Sequence, residues 1–371
     1  MNILLGFGDE RGSLGRLLKR ALAERHSVWS CGPVRAGHSG VHEIPAEIDT
    51  PLPELAARCP EPPDAYLHVD TGVPFFPRDV DHFPGRRIWF FTDPHVCWDT
   101  HREWGLFFHG IAVPQAAEAR RLTGEGFPAR WIPFACDDVH RGDPDAPREY
   151  DLAFVGTLRS EHPDHAPRIA LLNRLSRRYQ TKFLYGAFDA DLSAVYASAR
   201  IVVNRSIHDD VNMRVFEALA SGSLLLTDRV PGLSDLFADG LHLAVYEDDR
   251  VEEAVDRWLA DAARRRAVAR AGQAEAFRAH TYAHRAASLL AWLDGIRPGP
   301  ASPVTPFLRQ AVYAKAFFNL GQDERGYQVL REGSLAPANI PRFRWYRRAV
   351  RFALRPLLWL NRAIKWLKRV R

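Results

Sequence analysis

Short apolar runs alternate with amphipathic stretches along most of this chain. Runs at 3–5, 65–69, 87–91 and 110–113 have strand length and are bounded by glycine, proline or charge. After the first run, Leu14, Leu17, Leu18 and Ala21 recur at helical spacing from Ser13. Residues 1–137 therefore read as one α/β domain, with the proline-rich stretch 43–64 as a long connection. Polar, proline-containing 138–150 reads as a linker. A second series follows, with strands at 152–155, 182–185, 200–203 and 224–226. Helices are expected at about 166–178, 191–199, 212–221, 232–238 and 251–293. Strands alternating with helices predict a parallel sheet in each domain. The second domain is expected to span 151–298. A helical extension over 299–340 follows, with Phe307, Val312, Phe317 and Phe318 before Gly321, and Tyr327, Val329 and Leu330 after it.

Composition narrows the class. Four cysteines, Cys31, Cys59, Cys97 and Cys136, are far apart and form no Cys-x-x-Cys pair, which predicts reduced thiols and no zinc site. The opening Met1-Asn-Ile-Leu-Leu-Gly6 lacks a basic n-region and reads as a first strand. No run approaches the ~18 apolar residues of a transmembrane helix. The net charge of +5 is uneven: residues 341–371 hold eleven Lys and Arg and no acid, leaving 39 bases against 45 acids elsewhere. That tail spaces Phe343, Tyr346, Val350, Leu354, Leu357, Ile364 and Leu367 between arginines, with Trp345, Trp359 and Trp366. Pro356 should divide it into two helices. A basic amphipathic helix with tryptophan predicts contact with an anionic membrane surface; docking on the acidic body is the other reading. Nucleic acid is a poor fit, since charge alone points to it.

The chemistry concentrates in residues 204–228. An apolar run ends at Val203, a polar turn follows, a helix begins near Asn212, and the chain leaves through Ser221-Gly222 into Leu224-Leu-Leu226. Polar groups gathered after a strand end are where doubly wound sheets bind ligands. Glu217 sits among Val215, Phe216, Ala218, Leu219 and Ala220, a helix otherwise fit for burial. An ionised carboxylate there needs a partner or a wet cleft. An i−3 ion pair with Arg214, worth ~0.3–0.5 kcal/mol, is one reading; a ligand is the other.

This segment resembles the C-terminal half of two-domain nucleotide-sugar glycosyltransferases, in particular the CgeB-like, spore-maturation-type branch. The shared core is Asn-x-Arg-x-x-Glu-Ala-x-x-x-Gly, here Asn212, Arg214, Glu217, Ala218 and Gly222. Related enzymes carry two acids with seven residues between them, matched by Asp209 and Glu217, with Asp in place of the first Glu. The resemblance implies that Glu217 holds the donor ribose and that Asp209 contacts the sugar, with Asp210 competing for that role. It implies a GT-B fold: α/β, two Rossmann-like domains facing across a cleft, plus the helical C-terminal extension. Asn204 and Arg205 open the same motif on the donor side.

Other turns fit the same picture. Gly156-Thr-Leu-Arg159 follows a strand end; Gly156 permits close backbone approach, and Thr157 and Arg159 suit a diphosphate. Tyr185-Gly186 resembles the turn lining the nucleotide base. No lysine lies between Lys182 and Lys315, so Arg159, Arg205 and Arg214 are the candidates to neutralise a leaving diphosphate. Asp189-Ala-Asp191 is read as a helix start with Asp191 as N-cap, not as a metal site. In the first domain Trp89-Phe-Phe-Thr-Asp93-Pro-His95, Trp98-Asp-Thr-His101 and Trp131-Ile-Pro-Phe-Ala-Cys-Asp137 resemble the CgeB-like N-terminal half. Asp93, His95, Asp99 and His101 are candidates to position or deprotonate an acceptor hydroxyl. The loop Gly6-Phe-Gly8-Asp-Glu-Arg-Gly12 has the wrong spacing for a dinucleotide fingerprint.

The expectation is a metal-independent, retaining transfer of a sugar from a nucleotide-diphosphate sugar co-substrate to a cell-envelope glycan, lipid or other glycoconjugate, in the cytoplasm or on the inner membrane face. A GT-B-like protein that binds nucleotide or glycan at the membrane without turnover is the alternative.

Overall fold

The computed structural model describes residues 1–94, 98, 101–159, 163–298 and 304–332. His95, Asp99 and the 341–371 tail lie outside the described residues. The chain divides into two compact units: Met1–Val113 with Ala117–Trp131 and the chain from Leu289, and Pro114–Ala116 with Ile132–Ser288.

The first unit holds β1 (Asn2–Phe7), α1 (Leu14–Ala23), β2 (Ser27–Gly32), β3 (Ile44–Pro45), α2 (Leu52–Ala57), β4 (Ala65–Val69), β5 (Arg86–Phe90), β6 (Gly110–Val113), α3 (Ala116–Gly124) and β7 (Ala129–Trp131). Its seven strands run in the order β3-β2-β1-β4-β5-β6-β7, and every pairing is parallel. A parallel sheet is covered on both faces, which is why β1 and β4 read as continuous apolar runs. β2 and β7 escape the sequence pattern, because Ser27-Val-Trp-Ser-Cys-Gly32 and Ala129-Arg-Trp131 lack a sustained apolar run, and the stretch 43–64 expected as a connection holds both β3 and α2, each too short to show a period. The glycine turn after β1 is filled from within. Asp9 is fully buried and accepts from Arg16 Nε at 2.7 Å and from the Val41 amide at 2.9 Å. A β-carbon on Gly8 would stand 1.9 Å from the Val73 carbonyl oxygen, so close backbone approach is what requires the glycine.

The second unit holds β8 (Tyr150–Val155), α4 (Ala166–Ser176), β9 (Thr181–Leu184), α5 (Asp189–Ala197), β10 (Ala199–Asn204), α6 (Met213–Ala220), β11 (Leu224–Asp228) and β12 (Ala244–Tyr246). The strand order is β12-β11-β10-β8-β9, again all parallel. Three expectations fail locally. Residues 232–238 form turns, not a helix, since Pro231 and Gly232 (φ 84°) set a different backbone. The expected 251–293 helix is three: α7 (Val251–Ala260), α8 (Ala262–Ala279) and α9 (Tyr282–Asp294). Asp261 leaves helical geometry (φ −101°, ψ 81°) and its side chain caps the Arg264 amide at 2.9 Å, while His280 does the same without a cap (φ −129°, ψ 40°). Asp191 is not an N-cap: Phe188 occupies that position and Asp191 lies in the first turn, where a carboxylate still favours the helix dipole.

Helices α10 (Pro306–Asn319) and α11 (Asp323–Glu332) follow, turning at Gly321. Thr305 caps the Leu308 amide at 3.2 Å and Pro306 takes the first helical position. This pair completes the first unit's core. Tyr313 stacks on Phe107 at 5.3 Å and donates to the Pro77 carbonyl at 2.8 Å. No helix among the described residues is long and apolar enough to cross a membrane.

Candidate functional site

In the second sheet the chain order reverses between β8 and β10, and the crevice beyond the carboxyl ends at such a switch point is where open α/β sheets take ligands. Gly156 follows β8, Asn204 closes β10, and α6 begins nearby with Asn212 in the N-cap position and no side-chain cap. Arg214, from the first turn of α6, crosses this gap. Its Nε donates to the Val155 carbonyl at 2.8 Å, its Nη1 to Asn204 Oδ1 at 2.7 Å, and its guanidinium lies 4.4 Å from the Phe154 ring. Asn204 is fully engaged from within, donating from Nδ2 to Thr227 Oγ1 at 2.9 Å and accepting from Asn212 Nδ2 at 3.4 Å. Its side chain orients Arg214.

Glu217 is 9 % exposed, and among the described residues its carboxylate makes no hydrogen bond or ion pair. The i−3 pair with Arg214 is absent, because Arg214 is held on β8 and β10. Burial pushes the Glu217 carboxyl up from its ordinary value, with His140 and Arg214 opposing and Asp189 adding to the shift. An unpaired buried carboxylate costs stability and is retained where something else uses it. Two further oxygens nearby are orphaned. Oδ1 of Asp210 and Oδ1 of Asn212 are buried without a partner, and burial raises the Asp210 carboxyl as well. Asp209 is exposed in the left-handed region (φ 54°).

The three arginines separate. Arg205 pairs with Asp248, which raises its guanidinium's pKa, and its carbonyl accepts from Arg168 Nε at 2.8 Å. Arg214 is held as above. Arg159 is exposed, and its guanidinium has no partner among the described residues. Thr157 is exposed beside it, and His165 Nδ1 lies 3.2 Å from the Thr157 carbonyl and 3.3 Å from the Arg159 amide. Tyr185 is 62 % exposed after β9, donating to the Leu158 carbonyl at 3.3 Å; Gly186 follows with φ 68°.

Residues the sequence reading did not single out frame this crevice. Asp228, at the end of β11, accepts from the Ser206 amide at 3.1 Å and from its hydroxyl. Tyr246 donates to the Asn204 carbonyl at 3.0 Å. Arg168 is 6 % exposed, and burial and the neighbouring Arg214 lower its pKa to about 10. Only Asp228 carried a signal, as a carboxylate closing an apolar strand.

In the first unit, Asp93 and His101 line one cavity of about 70 Å³ with His68, Asp70 and Thr92. Asp70 is fixed by Trp89 Nε1 at 3.0 Å, and His68 Nδ1 sits 2.8 Å from the Tyr66 hydroxyl. Burial lowers the His101 pKa, with Asp70 opposing. No cluster of three metal-ligating side chains occurs among the described residues.

Residues 149–291 match the family model described as glycosyl transferase-like, which covers the second unit's sheet and the helices after it. No curated protein sequence matches the chain. Solved structures do. Sucrose-phosphate synthase from Thermosynechococcus elongatus superposes with a TM-score of 0.54 at 13 % identity, over 80 % of this chain and 99 % of that one. Anabaena HepE in complex with UDP-glucose gives 0.54 at 13 % identity, over 79 % and 100 %. T4 phage BGT in complex with its UDP-glucose substrate gives 0.52 at 12 %, over 80 % and 98 %. The fold is that of the GT-B glycosyltransferases. The stretch that matches the glycosyl transferase-like model thus contains the β8–β10 switch point.

Proposed function

We propose that this chain is a glycosyltransferase that moves a sugar from a nucleoside-diphosphate sugar, with uracil as the base, to an acceptor hydroxyl. The observation that carries the reading is Glu217, a buried carboxylate with no hydrogen-bond or ion-pair partner among the described residues, on the helix that follows β10 at the switch point of the sheet. Hydroxyl groups of a ribose are the donors such a carboxylate lacks. HepE and T4 phage BGT, which share the fold, have been solved in complex with UDP-glucose.

We assign the residues the following roles. Glu217 accepts from the ribose. Tyr185, exposed beside Gly186, lies against the base. Arg159 and the amides after β8 take the diphosphate, and guanidinium suits that bidentate contact. Asp209 or Asp210 orients the sugar. Asn204, Asn212 and Gly156 place Arg214. As the anomeric C–O bond to the diphosphate breaks, its electron pair leaves with the diphosphate, and the arginines stabilise that charge without a metal. The acceptor oxygen forms the new bond to the anomeric carbon, and its proton passes to a base. His101 or Asp93 in the first unit is assigned that task; a His101 with a lowered pKa is neutral at pH 7 and able to accept. Retention of configuration, the CgeB-like branch and a glycan or lipid acceptor complete the reading, as does contact of the 341–371 tail with anionic lipid.

The test is a panel of nucleotide sugars, scored for thermal stabilisation and for nucleotide release by wild type and Glu217→Ala. One donor that stabilises and is cleaved, both lost in the variant, supports the reading. Stabilisation without release across glycan and lipid acceptors would favour a binding protein, and no response to any donor would overturn both.

A further inference from the structure

The chain is rich in arginine, and the pattern alone reads as compositional bias. The structure groups four of these residues around one space. At the amino-terminal ends of β8, β10 and β11, opposite the ends that form the crevice, lies a cavity of about 260 Å³. Its charged lining is Arg148, Arg200, Arg265 and Arg266 against a single acid, Asp145.

Neutralisation is incomplete. Arg200 pairs with Asp151 at 2.9 Å, and Asp145 is taken by Arg270. Arg148 donates only to carbonyls, from Nη2 to Asp143 at 3.0 Å and Gly222 at 2.9 Å and from Nη1 to Ala197. Arg265 Nη1 likewise serves the carbonyls of Trp258 at 2.7 Å and Leu259 at 2.9 Å. Carbonyl partners satisfy N–H groups but leave the positive charge. Arg266 is exposed and makes no hydrogen bond or ion pair among the described residues. Burial lowers the pKa of Arg265, and the like charges of Arg200 and Arg266 lower it further, with Asp151 and Asp261 opposing.

We infer that this cavity binds a small phosphate-bearing anion, at a site separate from the β8–β10 crevice. Guanidinium groups bind phosphate oxygens in pairs, and cations that outnumber the acids lining their cavity gain from an added anion. The volume far exceeds the ~30 Å³ share of one water, so a phosphoryl group with a monosaccharide-sized body fits. Free phosphate and a sugar phosphate present the same chemistry. The inference does not depend on the transfer reading.

The experiment is calorimetric titration of the full chain carrying Arg159→Glu, so that the crevice does not contribute, with and without Arg266→Glu. Inorganic pyrophosphate and a hexose monophosphate are the probes. The expected result is saturable binding of at least one probe that Arg266→Glu weakens tenfold or more, with unchanged melting temperature. Tighter pyrophosphate assigns the site to a free anion, and tighter hexose monophosphate to a metabolite. No saturable binding of either probe, or binding indifferent to Arg266→Glu, would overturn the inference.

Discussion

A β-carbon on Gly156 would stand 2.2 Å from Nη2 of Arg214. The guanidinium has nowhere to retreat without leaving the Val155 carbonyl and Asn204 Oδ1. Gly156→Ala should therefore act through Arg214. Losing hydrogen bonds from a charged group costs roughly 1.5–3 kcal/mol, so donor affinity should fall about 10- to 100-fold. Arg214→Ala should cost about the same, and the double variant little more than either alone, because both remove one arrangement. Calorimetric donor binding across the three variants checks this; additive losses would separate the two residues.

Glu217→Gln should have opposite effects on stability and binding. An acid whose carboxyl is raised in the folded state holds its proton better there than in the unfolded chain. Stability is therefore highest below the ordinary value of 4.5 and falls as pH rises through the raised one. Once the pH is above the raised value the wild type carries the full penalty, which the amide removes. Removing an unpaired buried charge is worth about 1–3 kcal/mol, or a few degrees in a unit of this size. The gain should shrink as pH approaches 4.5, while donor binding is lost at every pH. Melting curves from pH 4 to 8 decide it; a variant less stable than wild type at pH 7 would show that Glu217 has a protein partner.

Much of this was legible because the informative residues are contiguous. Strand β10, the turn, α6 and β11 occupy 199–228, so one stretch shows both the fold and an acid among apolar neighbours. What stayed hidden depends on distance in sequence. Arg168 reaches the Arg205 carbonyl and Tyr246 the Asn204 carbonyl across 37 and 42 residues, and neither leaves a local pattern. The arginine cavity joins 144–148, 200 and 265–266 in the same way. Glu217 itself had two readings, since i−3 spacing permits an ion pair. Only the placement of Arg214 against β8 excluded it. The 251–293 run misled for a different reason. Its apolar spacing continues across Asp261 and His280, whose backbone angles break the helix.

The candidate arginines should separate by kinetic signature. Arg159 is exposed and unpartnered among the described residues, so its side chain is available to a diphosphate. Arg205→Ala releases Asp248 on the surface, where an ion pair contributes little, about 0–1 kcal/mol. Arg159→Ala should cut kcat/KM for the donor by about tenfold or more, as loss of a charge-assisted contact does, while Arg205→Ala should stay within about threefold. Steady-state kinetics with the donor found by the panel tests the order; a larger loss for Arg205→Ala would move the diphosphate to the β10 side.

The last helices belong to the first unit's core, and one ion pair tests how firmly. Lys315 Nζ on α10 lies 2.6 Å from Glu103 Oε2, with both side chains almost fully buried. Glu103 also meets Arg102 Nε at 3.4 Å. Removing one partner of a buried pair strands the other, at about 3–5 kcal/mol. Lys315→Met should cost about that much, because Glu103 would keep only the weaker, partly exposed partner. Glu103→Gln should cost less, since Lys315 keeps an oxygen acceptor within reach. Replacing both by apolar residues should recover most of the loss, since two hydrophobic side chains fill the same space without desolvating charge. Denaturant melts of the Lys315→Met and Glu103→Leu single variants and of the double variant measure the coupling. A double variant that loses the sum of both would mean that the pair contributes net stability, and that α10 is held here by charge and not by the stacked Tyr313 and its apolar neighbours.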